Sequence, residues 1–385
     1  MKIKNASVFC VEQGFAEKDV YMQDGCFVEE SRYRGGDGSQ VIDGEGLYLI
    51  PGLVDIHFHG CGGADFSDGT PEALRTISAC QLARGVTSIC PATMTLPEER
   101  LAAVCENAVE YLEESAGQPA RAALRGIHLE GPFIAGEKRG AQNARYIRPA
   151  DVALYRRLQQ AAHGLIRLVT LAPETAGAEA FIRELHGEVH LSVGHTACDY
   201  ACARRAFAAG ADHVTHLFNA MEGFGHRAPG VLAAAFDAGN VMPELICDGI
   251  HVDAAAVRVA FRLFGGERMI LISDSMRAAG MPDGDYTLGG QRVHVAGKLA
   301  TLDDGTIAGS VTNLMDGLRM AVAIGIPLET AVRCASYNPA RAIGVDSVCG
   351  SIDAGKDADC VLLSKKGLEI QKVFRKGVCV ENVGE

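Results

Sequence analysis

The chain has 385 residues, 36 Lys and Arg against 48 Asp and Glu, a formal net charge of −12, 48% hydrophobic residues and 22% charged residues. That composition is a globular one and excludes disorder as the dominant state. The negative balance argues against nucleic-acid or anionic-membrane partners, whose affinity rests on neutralised phosphates, but it leaves room for a small anion held by one local Arg.

Residues 1–50 read as short strands: Ile3–Val11, Val20–Met22, Cys26–Glu29 and Gln40–Asp43, punctuated by Gly14, Asp24-Gly25 and Gly35-Gly36. The tail from Gly350 reads the same way, with Asp359–Leu363, a Lys365-Lys366-Gly367 turn, Lys372–Arg375 and Val378–Val380. Two strand-rich ends around a different middle predict one small β-sandwich domain, built from residues 1–50 and 346–385. From Leu49 onward, apolar runs alternate with Ala-rich helical stretches. The runs are Leu49–His57, Gly85–Cys90, Leu124–Leu129, Ile166–Leu171, Val189–Val193, His213–Leu217, Leu245–Cys247 and Met269–Ile272. Helices are expected at Pro71–Arg84, Pro97–Glu114, Asp151–Ala162 and Tyr200–Ala209. Eight β-α units in this span fit a (β/α)8 TIM-like barrel over residues 51–345. An open doubly wound sheet lacks its usual signature here, because no Gly-x-Gly-x-x-Gly follows the first strand.

The 13 Cys contain no Cys-x-x-Cys pair. No run reaches the roughly 18 apolar residues of a membrane helix. The opening Met1-Lys2-Ile3-Lys4-Asn5 has no apolar leader, so a reduced, cytoplasmic protein with no membrane partner is expected.

In a barrel, chemistry gathers just past the C-terminal ends of the strands. His57-Phe58-His59 ends the first run, His128-Leu129-Glu130 the third, Gly194-His195 the fifth, His216 lies in the sixth, and Ser273-Asp274 ends the eighth. Residues i and i+2 of a strand share a face, so His57 and His59 can converge on one point. Imidazoles and carboxylates at equivalent places in separate repeats suit a divalent metal site of Zn²⁺, Fe²⁺ or Mn²⁺ type.

His57-Phe58-His59 at this position resembles the amidohydrolase superfamily. Within it, further segments look like the N-acetylglucosamine-6-phosphate deacetylases: Pro51-Gly52-Leu53-Val54-Asp55, Leu129-Glu130-Gly131-Pro132-Phe133, Gly194-His195-Thr196, Thr215 to Met221, Asp248 to Asp253, Gly305 to Ser310, and Asn338 to Gly344. The resemblance implies that Glu130, His195 and His216 hold one metal, and that His57 and His59 serve a second with Glu130 as a bridge. It implies one or two divalent ions per subunit, Zn²⁺ or Fe²⁺ first and Mn²⁺ or Co²⁺ as further options. Asp274 takes the general-base role, and His251 contacts the sugar and orients the acetamide. Asn219, Ala220 and Arg227 are expected on the phosphate, Ala141 and Gln142 on the substrate, and Ile307, Ala308 and Gly309 along the pocket wall. Some members carry His where Gln142 stands, and Gln cannot shuttle a proton. The implied substrate is a phosphorylated N-acetylamino sugar, glucosamine-type or its galactosamine epimer. A homodimer is implied as well, with Arg227 near the subunit contact.

Overall fold

The computed structural model describes residues 1–35, 39–115 and 118–380. Gly36 of the expected Gly35-Gly36 turn, and residues 381–385 of the expected terminal domain, lie outside the described residues.

Eight short strands form the middle of the molecule: β1 (Leu53–Asp55), β2 (Val86–Ile89), β3 (Ile127–Glu130), β4 (Ile166–Leu171), β5 (His190–Val193), β6 (His213–Val214), β7 (Met242–Ile246) and β8 (Ile270–Ile272). β1 pairs with β2, and β3 to β8 pair in chain order, all parallel. Two seams complete the ring. Between β2 and β3, the His128 N–H donates to the Pro91 carbonyl at 3.0 Å and the Thr93 N–H to the His128 carbonyl at 2.9 Å. Between β8 and β1, the Asp274 N–H donates to the His57 carbonyl at 2.9 Å, and Ser273 Oγ donates to Asp55 Oδ2 at 2.5 Å. This curled parallel sheet agrees with the barrel read from the apolar runs.

Side chains divide between two faces, as strand geometry requires. In β8, Ile270 and Ile272 join an inner apolar cluster with Val54, Ile56, Leu168 and Ile246, while Leu271 packs outward under the helices. The helices Pro71–Ala83, Val152–Ala161 and Tyr200–Ala209 start where Thr70, Asp151 and Asp199 accept a backbone N–H three residues on. Glu98–Glu114 completes the set read from sequence.

The terminal strands differ from the expected sandwich. Lys2–Cys10, Gly14–Gln23, Cys26–Val28, Val41–Asp43 and Leu47–Pro51 join Cys360–Ser364, Ile370–Arg375 and Val378–Val380 in one continuous 8-stranded sheet. The reason is Leu47–Pro51, which runs parallel to Lys2–Cys10 on one edge and antiparallel to Cys360–Ser364 on the other. The expected single strand Leu49–His57 is therefore two strands in two sheets. They divide at Gly52, where any Cβ would collide with the Thr87 side chain. A small antiparallel sheet, Gly284–Leu288, Gln291–Ala296 and Leu299–Thr301, follows β8. It escaped the sequence reading because its alternation is interrupted by polar residues, and it packs on Met94, Met276 and Ala308. Among the described residues no helix is long and apolar enough to cross a membrane.

Candidate active site

Four residues occupy one equivalent position, the second residue past a strand end: His57 after β1, His195 after β5, His216 after β6 and Asp274 after β8. Glu130 ends β3, and His59 stands two residues beyond His57. His195, His216 and Asp274 have φ of 48°, 27° and 47°, and Phe218 and Ala220 in the same rim are also positive, at 80° and 50°. Non-glycine residues in that region are strained, and strain of this kind persists where the surrounding structure enforces it. Gly194 is part of the enforcement, because a Cβ there would collide with Thr215 and bar the approach of β5 to β6.

These turns aim the side chains at Glu130. His57 Nε2 and His216 Nε2 each lie 3.2 Å from Glu130 Oε1, and His195 Nε2 lies 3.1 Å from it. His59 Nε2 lies 3.3 Å from Glu130 Oε2 and 3.4 Å from Asp274 Oδ1. His195 Nε2 and His216 Nε2 face one another at 3.1 Å. Gln142 steadies the shared carboxylate, donating from Nε2 to Glu130 Oε2 at 2.6 Å while its Oε1 accepts the Thr95 N–H at 2.7 Å.

In three of the four rings a far-side partner decides what the near side offers, whereas His216 Nδ1 is buried without one. His59 Nδ1 meets the Ala92 carbonyl at 3.2 Å, His195 Nδ1 the Lys138 carbonyl at 2.8 Å, and His57 Nδ1 the Glu244 carboxylate at 2.8 Å. A carbonyl or carboxylate oxygen only accepts, so the proton sits on Nδ1 and the Nε2 lone pairs point inward. Inward lone pairs facing carboxylates repel unless a cation lies between them. His57 Nε2 and Asp274 Oδ1 are buried with no hydrogen-bond partner. The two donor sets, Glu130–His195–His216 and His57–His59–Glu130, are each close enough to share an ion. Imidazole and carboxylate donors of this kind fit a divalent transition metal.

The electrostatics agree. Burial works against a charged His59, yet the Asp274 and Glu130 carboxylates beside it outweigh that and push the imidazole up to about 10. Burial would likewise raise Asp274, but the neighbouring imidazoles hold it at about 2. The cluster thus demands positive charge, which protons or a cation supply. His251 is raised too, because its hydrogen bond to Asp248, at 2.7 Å, outweighs burial.

The cluster opens into a cavity of about 510 Å³. Of the expected substrate residues, Ala141, Gln142, Asn219, Ala220, His251, Ile307 and Gly309 line it. Ala308 does not: it is buried in the small cluster with Met276 and Leu288. Arg227 is exposed on the loop beyond Met221 and lies outside the cavity wall. The cations that do line the cavity are Lys138 and Arg139, which the sequence reading passed over. The signal available was the pair Lys138-Arg139 itself, eight residues past Glu130 in a loop after a barrel strand. Gln291, from the small antiparallel sheet, was also missed, as was Glu244 behind His57.

Comparison with known proteins places this geometry. The Amidohydrolase family profile matches residues 48–380. An N-acetylglucosamine-6-phosphate deacetylase of Bacillus subtilis (strain 168) is 42% identical over 318 residues, covering 82% of this chain and 80% of that one. An N-acetylgalactosamine-6-phosphate deacetylase of Escherichia coli O157:H7 is 35% identical over 339 residues, covering 88% and 89%. Among solved structures, an aspartate-to-alanine mutant of the Mycobacterium smegmatis N-acetyl-D-glucosamine-6-phosphate deacetylase, in complex with N-acetyl-D-glucosamine-6-phosphate, superposes with a TM-score of 0.89 at 34% identity, over 98% of each chain. Sequence and architecture agree over nearly the whole length, and the chain belongs to the amidohydrolase family.

Proposed function

We propose that this chain is a metal-dependent hydrolase that deacetylates N-acetyl-D-glucosamine 6-phosphate to D-glucosamine 6-phosphate and acetate, in amino-sugar breakdown or recycling. One observation carries the chemistry: a single carboxylate, Glu130, is ringed by four inward-facing imidazole nitrogens with Asp274 3.4 Å from the nearest of them. The relatives named above supply the substrate class.

A divalent ion held by Glu130, His195 and His216, with a second at His57 and His59, would polarise the amide carbonyl and make water acidic enough to ionise near neutral pH. Asp274 takes a proton from the attacking water as its oxygen bonds to the acetyl carbon. It then delivers that proton to the amide nitrogen, so the C–N bond breaks to amine and acetate. His251, braced by Asp248, orients the acetamide. Ala220 offers a backbone N–H to the phosphate, while the Asn219 N–H is spent on the His216 carbonyl at 2.9 Å, and Lys138 and Arg139 supply cationic charge at the same cavity. Zn²⁺ and Fe²⁺ both suit the donors, with Mn²⁺ or Co²⁺ as substitutes.

The exposed Arg227 loop, with Phe224 beside it 61% exposed, is the surface proposed for contact in a homodimer. Residues 1–50 and 346–385 are proposed to act as one supporting unit on the barrel of residues 51–345. The galactosamine epimer is a second reading, favoured by the Escherichia coli relative. An acetate-release assay on both 6-phosphates and on unphosphorylated N-acetylglucosamine tests the proposal. Turnover restricted to the phosphorylated glucosamine derivative is expected. Preference for the galactosamine epimer would transfer the assignment to it, and turnover of neither would refute the deacetylase reading.

A further inference from the structure

Glu244 sits in the middle of β7, in the run Val241-Met242-Pro243-Glu244-Leu245-Ile246, and has no exposed surface. A buried carboxylate in an apolar strand is costly unless it is partnered. Its Oε2 accepts the Nδ1–H of His57 at 2.8 Å and the backbone N–H of His216 at 3.3 Å, while Oε1 has no hydrogen-bond partner. One carboxylate therefore touches a residue of each donor set. The neighbouring imidazole, His128, is otherwise engaged. Its Nδ1 donates to the Ile56 carbonyl at 3.2 Å, and its Nε2 accepts from Thr170 Oγ1 at 2.7 Å.

His57 lies between two carboxylates that compete for one proton. On its inner side, Nε2 is 3.2 Å from Glu130 Oε1 and 3.6 Å from Asp274 Oδ1. A proton at Nε2 would satisfy Glu130 within the protein and close that position to a cation. The shorter contact to Glu244 keeps the proton on the outer nitrogen. Partners behind a metal-ligating imidazole act in this way, fixing its tautomer and raising its basicity.

We propose that Glu244 is a positioning residue that holds the His57 proton at Nδ1, and that it thereby determines whether a second cation is retained at His57 and His59. The inference rests on the cation site proposed above. The test is Co²⁺ and Zn²⁺ titration of metal-stripped full-length protein, following ions bound per chain and the visible absorption of Co²⁺. Two ions are expected on the unaltered chain. Glu244→Gln, which keeps the shape but loses the charge, should retain the ion at Glu130, His195 and His216 and bind the second about 10–100-fold more weakly. Glu244→Asp should recover part of that affinity and part of the Co²⁺ band, which a purely packing role would not predict. If Glu244→Gln does not fold, Glu244→Asp alone serves, with a weakened second ion expected. Two ions bound with unchanged affinity in the variants, or only one on the unaltered chain, would overturn the proposal. A chain that binds no ion would overturn the cation site along with it.

Discussion

The two ends of β5 and β6 carry the same residue types and do opposite things with them. At the N-terminal end, His190 Nδ1 and His213 Nδ1 each bond a separate oxygen of Asp212, at 2.6 and 2.7 Å, and the Leu191 N–H adds a third bond at 3.1 Å. Each of these three contacts joins a donor to an acceptor, leaving His213 Nε2 buried without a partner, and neither imidazole has a positive φ. At the C-terminal end, His195 and His216 have positive φ, and their Nε2 atoms face one another and Glu130. Histidine and carboxylate are thus a closed clasp at one end and an open, strained donor set at the other. The difference lies in the far nitrogen: Lys138 holds the outer proton of His195, which leaves the inner lone pair for an ion.

The largest break in this contrast should come from Asp274→Asn. Turnover is expected to fall about 10²–10⁴-fold, with ions per chain unchanged by elemental analysis, since the amide removes the proton acceptor and leaves both donor sets. Undiminished turnover would remove Asp274 from the reaction. Arg139→Ala sharpens the picture at the cavity mouth. Loss of one cationic contact should raise KM for the phosphorylated sugar about tenfold and leave kcat near its original value, and an unchanged KM would rule out phosphate recognition by Arg139. The smallest effect belongs to the clasp.

Asp212→Asn should leave activity intact and lower thermal stability by about 1 kcal/mol, because the group is part-exposed. Its pH dependence has a definite sign. Burial works against both charges, but each outweighs it in the other: Asp212 is depressed by His213 and His190, and His213 is raised by Asp212. The Asp212 contribution is present above its unfolded value of about 4 and is lost as pH falls. The His213 contribution is complete below its unfolded value of about 6.5 and is lost as pH rises through the raised folded value. The cost of the substitution, read from unfolding midpoints, should therefore peak between about pH 4 and 6.5. A cost that does not vary with pH would mean that Asp212 acts through shape alone.

The barrel was legible because its strands are continuous apolar runs, and the donor set because His57, His195, His216 and Asp274 recur at one place in separate repeats. What escaped has physical reasons. The strand Leu47–Pro51 merges into β1 because both are apolar and only Gly52 separates them. Arg227, expected on the phosphate and near the subunit contact, stands exposed outside the cavity wall of this chain. Glu244 does not stand out because the seventh apolar run reads from Leu245, three residues inside β7, although a lone Glu among apolar neighbours is the kind of exception that demands a partner. That partner, His57, is 187 residues away in the chain, and no local pattern joins them.

The proposed role of the inward lone pairs is to hold a cation that hydrolysis needs. It is tested most directly by measuring acetate release from N-acetyl-D-glucosamine 6-phosphate against ions bound per chain, from stripped to fully loaded protein. No turnover is expected in the stripped protein, with activity that rises with occupancy and returns on adding Zn²⁺ or Fe²⁺. Full activity in protein shown to contain no metal would contradict it.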